Sequence, residues 1–140
     1  MSTSNGSDVT STTRYFLGKD DRLKSRKAID VLFKQGKSFS HFPLRVFFYK
    51  SVSGSGLKAG FSASTRNFKK ATDRNRVKRL LRETYRLQKN IIEKEVDTTT
   101  QSITILFVYI HKEVPQYEVL YAKMSTALLR IVKQLHENNQ

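Results

Sequence analysis

The stretch TDRNRVKRLLRETYRLQKNIIEK, Thr72 to Lys94, carries two patterns at once. Val77, Leu80, Leu81, Thr84, Gln88, Ile91 and Ile92 recur at i, i+3 and i+4, the spacing of one helical face. At about 100° per residue, Lys78, Arg79, Arg82, Arg86 and Lys89 lie roughly 100–200° around the axis from Val77, opposite that face. Thr72 or Asp73 can cap the start. The spacing predicts an amphipathic helix from there to about Lys94, buried on one side and cationic on the other.

Strand patterns flank it. Upstream, Leu57, Ala59, Phe61 and Ala63 alternate with Lys58, Gly60, Ser62 and Ser64, the two-residue period of a half-buried strand. Before that, Leu44, Val46 and Phe48 alternate with Arg45, Phe47 and Tyr49, in a β-rich run from Ser38 to Lys50 that has room for a short extra strand near Ser38 to His41. The intervening SVSGSG (51–56) has turn chemistry, so these runs are expected to pair as a hairpin. Downstream, Ser102 to Ile110 is apolar on both sides, as a central strand must be. A helix near Ser25 to Gly36 presents Ala28, Ile29, Leu32 and Phe33. A last one after Pro115 presents Val119, Leu120, Met124, Ala127, Leu128, Ile131 and Leu135. The order is α, two or three β, α, β, α, without internal repeats.

A chain of 140 residues suits one domain. Eight of the first thirteen residues are Ser or Thr, so residues 1–20 read as a disordered tail, 21–137 as the folded domain and 138–140 as a short C-terminal tail. No run approaches the roughly 18–20 apolar residues of a membrane span, and Met1 to Thr13 lacks the basic start and apolar stretch of a secretory signal. Cysteine is absent, which removes disulfide and thiolate chemistry and fits a reducing cytoplasm. Lys and Arg number 26 against 12 Asp and Glu, a net charge of +14, so a polyanionic partner is expected; nucleic acid and an acidic membrane surface both satisfy that charge.

Several chemistries have no support. His41, His111 and His136 lack metal-ligand spacing, so no protein-held metal is expected. Glu93 with Glu95, or Asp20 with Asp21, are poor candidates for paired catalytic acids, since adjacent helical positions diverge and the aspartates border the tail. The SVSGSG segment lacks the Lys-Ser/Thr and helix that complete a phosphate-binding loop. No catalytic residue, protein-bound cofactor or small-molecule substrate is expected.

Between Arg66 and Lys89 stand ten Lys or Arg and two acids, Asp73 and Glu83. Like charges at i,i+4 oppose helix formation, so an external polyanion must favour this density. If about six of these groups meet phosphates, counterion release gives a log–log salt slope near −5. Guanidinium forks, ammonium groups and the carboxamide of Asn75 together suit a folded RNA surface.

At RNRVKRLLR (74–82), with GFSAS (60–64) before it and LFKQGKSF (32–39) earlier, the sequence closely resembles the protein component of bacterial ribonuclease P. The resemblance spans roughly Arg22 to Lys133. It implies an α+β fold, an α-β-β-β-α-β-α two-layer sandwich resembling a ribosomal-protein domain, with a left-handed β-α-β crossover through the basic helix. It implies a non-catalytic subunit whose partners are the ribonuclease P RNA and the 5′ leader of precursor tRNA, the RNA carrying the hydrolysis with its own Mg2+. It assigns RNA contacts to Arg74, Asn75, Arg76, Lys78, Arg79 and Arg82, with Arg86 extending that face. It also assigns a cleft for single-stranded leader to Ile29, Phe33 and Phe47, with Arg45 and Tyr49 beside Phe47; ordinary core packing is the alternative for Phe33. The stretch TRNFKKAT (65–72) is one residue longer than the commoner family loop and lacks its glycine, but keeps charge in Arg66, Lys69 and Lys70. A ribosomal protein or general RNA chaperone is the rival reading.

Overall fold

Ile103, Ile105 and Phe107 alternate with Thr104, Leu106 and Val108 in the strand expected to be central, and the sheet order β1-β2-β4-β3 puts it there. The computed structural model describes residues 26–52 and 54–137. Its elements are α1 (Arg26–Gln35), β1 (Lys37–His41), β2 (Leu44–Ser51), β3 (Gly56–Ala63), α2 (Ala71–Arg86), α3 (Asn90–Glu93), β4 (Ser102–Tyr109) and α4 (Tyr117–Glu137). Ser25, near which the first helix is expected to begin, and the two terminal tails lie outside the described residues.

The expected hairpin between the second and third strands is not formed. β2 pairs antiparallel with β4, and β3 pairs parallel with β4 on its other side. Ser51 and Gly56 are both register partners of Ser102, so the short loop between them steps across the start of β4. Gly54 and Gly56 take positive φ values of 88° and 106°, which glycine tolerates without strain. The Gly56 N–H then donates to the Thr98 carbonyl (2.7 Å) in the lead-in to β4, fixing β3 there rather than against β2. Turn residues announce a reversal; they do not say which strand receives it.

The sheet register separates two faces. Leu44, Val46 and Phe48, Leu57 and Ala59, and Ile103, Ile105, Phe107 and Tyr109 are buried on the face covered by α2 and α4. Phe107 stacks on Phe61 (5.7 Å between centroids, 8° between planes) and meets the Tyr85 ring at 5.5 Å, joining sheet to α2. α4 adds Leu120, Met124, Ala127, Leu128, Ile131 and Leu135; Val119, expected in the same stripe, is exposed. The opposite face carries Arg45, Phe47, Tyr49 and Leu106, and α1 lies against β2 and β4 on that side. Of the apolar residues expected to bury one face of α1, only Leu32 is fully buried.

The basic helix is shorter than its periodicity suggests. It begins at Ala71 with no side-chain cap, and it ends at Arg86, before a turn and the short α3. Gln88 explains the end. Its buried side-chain amide donates to the Thr84 carbonyl (3.1 Å), the acceptor that its own backbone N–H would use in a continuing α-helix, and to Tyr121 O of α4 (3.0 Å). The Gln88 backbone N–H turns to Tyr85 O instead (2.9 Å), tightening the last turn. The Thr84 hydroxyl, also buried, donates back to Leu80 or Leu81. Both polar residues in the apolar stripe are thus satisfied.

Gly36 joins α1 to β1 where two backbones meet. A Cβ there would lie 2.4 Å from Leu32 O and 2.8 Å from Phe48 O, atoms that cannot rotate away. Gly36→Ala is therefore expected to lift α1 from the sheet and cost about 1–3 kcal/mol, read as a lower urea midpoint. An unchanged midpoint would show that α1 does not depend on this approach.

Candidate nucleic-acid interface

The outer surface of α2 follows from its inner one. With Val77, Leu81, Thr84 and Tyr85 buried, Asn75, Arg76 and Arg79 project into solvent, while Lys78, Arg82 and Arg86 are half-buried along the flanks. The Arg82 guanidinium lies 6.0 Å from the centroid of the Phe61 ring, and Arg86 pairs with Glu83 one turn earlier. Lys89 does not extend this face. It sits in the turn after α2 and is only 6% exposed, because the helix ends before reaching it.

Arg74 is engaged inside the chain. Its Nη1 donates to Phe68 O (2.7 Å) and Lys69 O (3.0 Å), the carbonyls of the loop that leads into α2. The resemblance assigns Arg74 an RNA contact. The structure shows it holding the loop that carries Lys69 and Lys70, both exposed. The same loop is fixed at three further points. Ser64 accepts the backbone N–H of Arg66 through its hydroxyl (3.0 Å) and that of Phe68 through its carbonyl (3.0 Å). The Asn67 amide donates to Ile110 O (3.1 Å). The Phe68 ring is buried beside Tyr109 (6.1 Å). These contacts give the long, glycine-free loop a defined course, with the side chains of Arg66, Lys69 and Lys70 outward. Phe68 was given no role from sequence; an aromatic residue between Arg66 and the Lys69-Lys70 pair was the available signal.

On the opposite face of the sheet, α1 and β2 bring two rings together. Phe33 is 53% exposed and meets Phe47 edge-to-face at 4.9 Å, so it is not a core residue; Leu32 beside it takes the buried position. Arg45 lies over the Phe47 ring (5.3 Å) and donates weakly to the Ser40 hydroxyl (3.3 Å). Ile29 is half-buried on α1, and Tyr49 is half-buried two residues along β2. Exposed aromatic faces beside a guanidinium are the elements that stack bases and meet phosphate.

At the end of the sheet, Tyr109 donates through its hydroxyl to Glu113 O (2.7 Å), fixing the segment after β4. Burial, then the Glu113 charge, pushes its phenol up to about 12. Among the described residues no three His, Cys, Asp or Glu side chains cluster as metal ligands, and no helix is long and apolar enough to cross a membrane.

A family model described as Ribonuclease P matches residues 17–134. The ribonuclease P protein component of Porphyromonas gingivalis is 34% identical over 128 residues, covering 88% of this chain and 91% of that protein. The Chlorobium phaeobacteroides protein of the same name is 30% identical over 127 residues, with 82% and 87% covered. Among solved structures, the Thermotoga maritima RNase P protein superposes with a TM-score of 0.63 at 25% identity, over 78% of this chain and 96% of that one. The Staphylococcus aureus RNase P protein shares the fold, with a TM-score of 0.54 at 18% identity over 82% and 94%.

Arg74 and Arg79 should separate in experiment. Arg74→Ala removes both loop hydrogen bonds and is expected to lower folding stability by about 1.5–3 kcal/mol in urea. Arg79→Ala should leave stability within about 0.5 kcal/mol and make the salt slope of RNA binding shallower by about one unit. Equal stability of the two variants would contradict the loop-holding role, and an unchanged slope would remove Arg79 from the phosphate contacts.

Proposed function

The chain belongs to the ribonuclease P protein family, and on that premise we propose a division of labour between its two faces: α2 with its preceding loop binds the RNA subunit, and the α1–β2 cleft takes the 5′ leader of precursor tRNA. Its role is that of the non-catalytic subunit of a ribonucleoprotein endoribonuclease in tRNA 5′ maturation. The observation that carries the division is the pairing of the exposed Phe33 with the half-buried Phe47, beneath Arg45, on the sheet face opposite α2. One chain then offers an electrostatic surface and a separate stacking surface, as an adaptor between a folded RNA and a single strand requires.

The chemistry assigned to this chain is positional. Arg76, Arg79, Lys78 and the side chains of Arg66, Lys69 and Lys70 neutralise phosphates of the RNA subunit, and Asn75 adds a hydrogen-bonding amide. Arg82 and Arg86, held by Phe61 and Glu83, contribute from the flank. Phe33 and Phe47 stack leader bases while Arg45 meets the adjoining phosphate; Ile29 and Tyr49 border the track. Hydrolysis is assigned to Mg2+ held by the RNA, and the protein acts by binding and orienting the substrate. The setting assigned to this work is the cytoplasm.

Protein mixed with its cognate RNA subunit should cleave precursor tRNA faster than RNA alone at low Mg2+; absence of stimulation overturns the proposal. Within it, Phe47→Ala is expected to reduce the preference for long over short leaders by about 1–3 kcal/mol, with little change in affinity for the RNA subunit. Equal losses for both leader lengths would remove Phe47 from the leader track.

A further inference from the structure

A third aromatic position lies at the end of the sheet, apart from the Phe33–Phe47 cleft and next to the basic loop that leads into α2. The register brings His41, Leu44, Tyr109 and Ala63 to this end, so the β1–β2 turn, the basic loop after β3 and the segment after β4 are neighbours. At the tip of the turn, the Phe42 ring is 59% exposed and lies 5.1 Å from the His111 ring at 56°. Phe42 is bulky and apolar, and core packing gives no reason for it to stand in water.

The two rings border a depression of about 520 Å3, within the range of small-ligand pockets, that continues over Pro43 and Val119 to Lys123 of α4. Its rim is held by backbone. Ile110 donates its N–H to Pro43 O (2.9 Å) and accepts the Asn67 amide at its own carbonyl (3.1 Å). One residue therefore ties the turn bearing Phe42 to the loop bearing Arg66, Lys69 and Lys70. Glu113 Oε1 is 3.7 Å from His111 Nε2, an ion pair whenever the imidazole is protonated. That carboxylate repels phosphate on the His111 side, while Lys123 attracts it on the α4 side.

We propose that this depression is a nucleotide site in which Phe42 and His111 stack one unpaired RNA base and Lys123 meets its phosphate. Resting on the RNA-binding reading, the proposal adds a single-stranded contact point continuous with the basic loop and distinct from the Phe33–Phe47 cleft. Apolar ring, adjoining imidazole and one cation supply what stacking without sequence readout requires.

The chain contains no tryptophan, so Phe42→Trp installs a reporter at the site itself. The full-length variant is titrated with a single-stranded oligoadenylate decamer, a blunt RNA duplex of equal length, and heparin as a polyanion without bases; anisotropy of labelled RNA follows binding separately. The decamer is expected to quench the indole strongly, with duplex and heparin leaving it nearly unchanged. In the otherwise native chain, Phe42→Ala and His111→Ala should each weaken decamer binding by about fivefold or more, and Phe42→Tyr should restore it. Decamer binding by anisotropy without a change in emission, or without loss in the alanine variants, overturns the site and leaves the wider RNA-binding reading standing. No RNA binding by the wild-type chain overturns both. A concentration-dependent emission shift without RNA, together with doubled sedimenting mass, overturns it by assigning the patch to self-association.

Discussion

A strand with large apolar side chains on both faces is stable only with a strand on each side and cover above and below. β4 imposes that requirement, with Ile103, Ile105 and Phe107 buried on one face and Leu106 on the other. β2 meets it antiparallel and β3 parallel. A parallel neighbour cannot be reached by a tight turn, so the chain must cross over, and the crossover is α2. Every later feature follows from it. α2 has to start at the end of the sheet where β3 and β4 both finish, which is why the basic loop, the first turn of α2 and the segment after β4 converge there.

The same crossover decides how the cations are distributed. A helix this basic has unfavourable local electrostatics, and the burial of Val77, Leu81 and Tyr85 against β3, β4 and α4 offsets it. The chain also engages part of its own charge: Arg74 on loop carbonyls, Arg82 over Phe61, Arg86 with Glu83. An ion pair such as Arg86–Glu83 contributes little to stability by itself, but each of these contacts fixes a side chain that would otherwise sample many rotamers. Arg76 and Arg79 keep the solvent-facing positions on the helix. The face is therefore graded, with cations engaged by the chain itself beneath cations that face solvent.

Element type was legible where side-chain period and burial agree. The alternation in β2 and β3, the double-sided apolarity of β4 and the stripe of α4 all emerged in the fold. Two kinds of information were not local. Strand adjacency was one: the SVSGSG turn reads as a hairpin in isolation, whereas the Gly56–Thr98 hydrogen bond, across more than forty residues, sends β3 to β4. The other was competition for hydrogen bonds. A repeat of i, i+3, i+4 runs through Gln88, yet its amide takes the Thr84 carbonyl and ends the helix, withdrawing Lys89 from the cationic face. In the candidate site, the composition of the RNRVKRLLR face could be read directly, but not the inward turn of Arg74, because a guanidinium suits backbone carbonyls as well as phosphates. Phe33 was undecided for a similar reason: periodicity places Leu32 and Phe33 on one side of α1 without saying which of them reaches the sheet.

That last distinction bears on function. Helix α1 has only Leu32 fully buried, with Gly36 allowing its end to approach β2 closely, so the contact is narrow. A second buried aromatic would bind the helix more firmly, and Phe33 stands in the next position. It is instead directed at Phe47, where the edge-to-face pair covers part of each ring and leaves apolar surface open beneath Arg45. Stability alone would favour closing that gap, since buried aromatic area is among the largest contributions available to a domain of this size. A shallowly anchored helix holding an incompletely covered ring pair is the arrangement a stacking ligand can complete, and the α2 surface, on the other side of the sheet, remains available to a folded RNA at the same time.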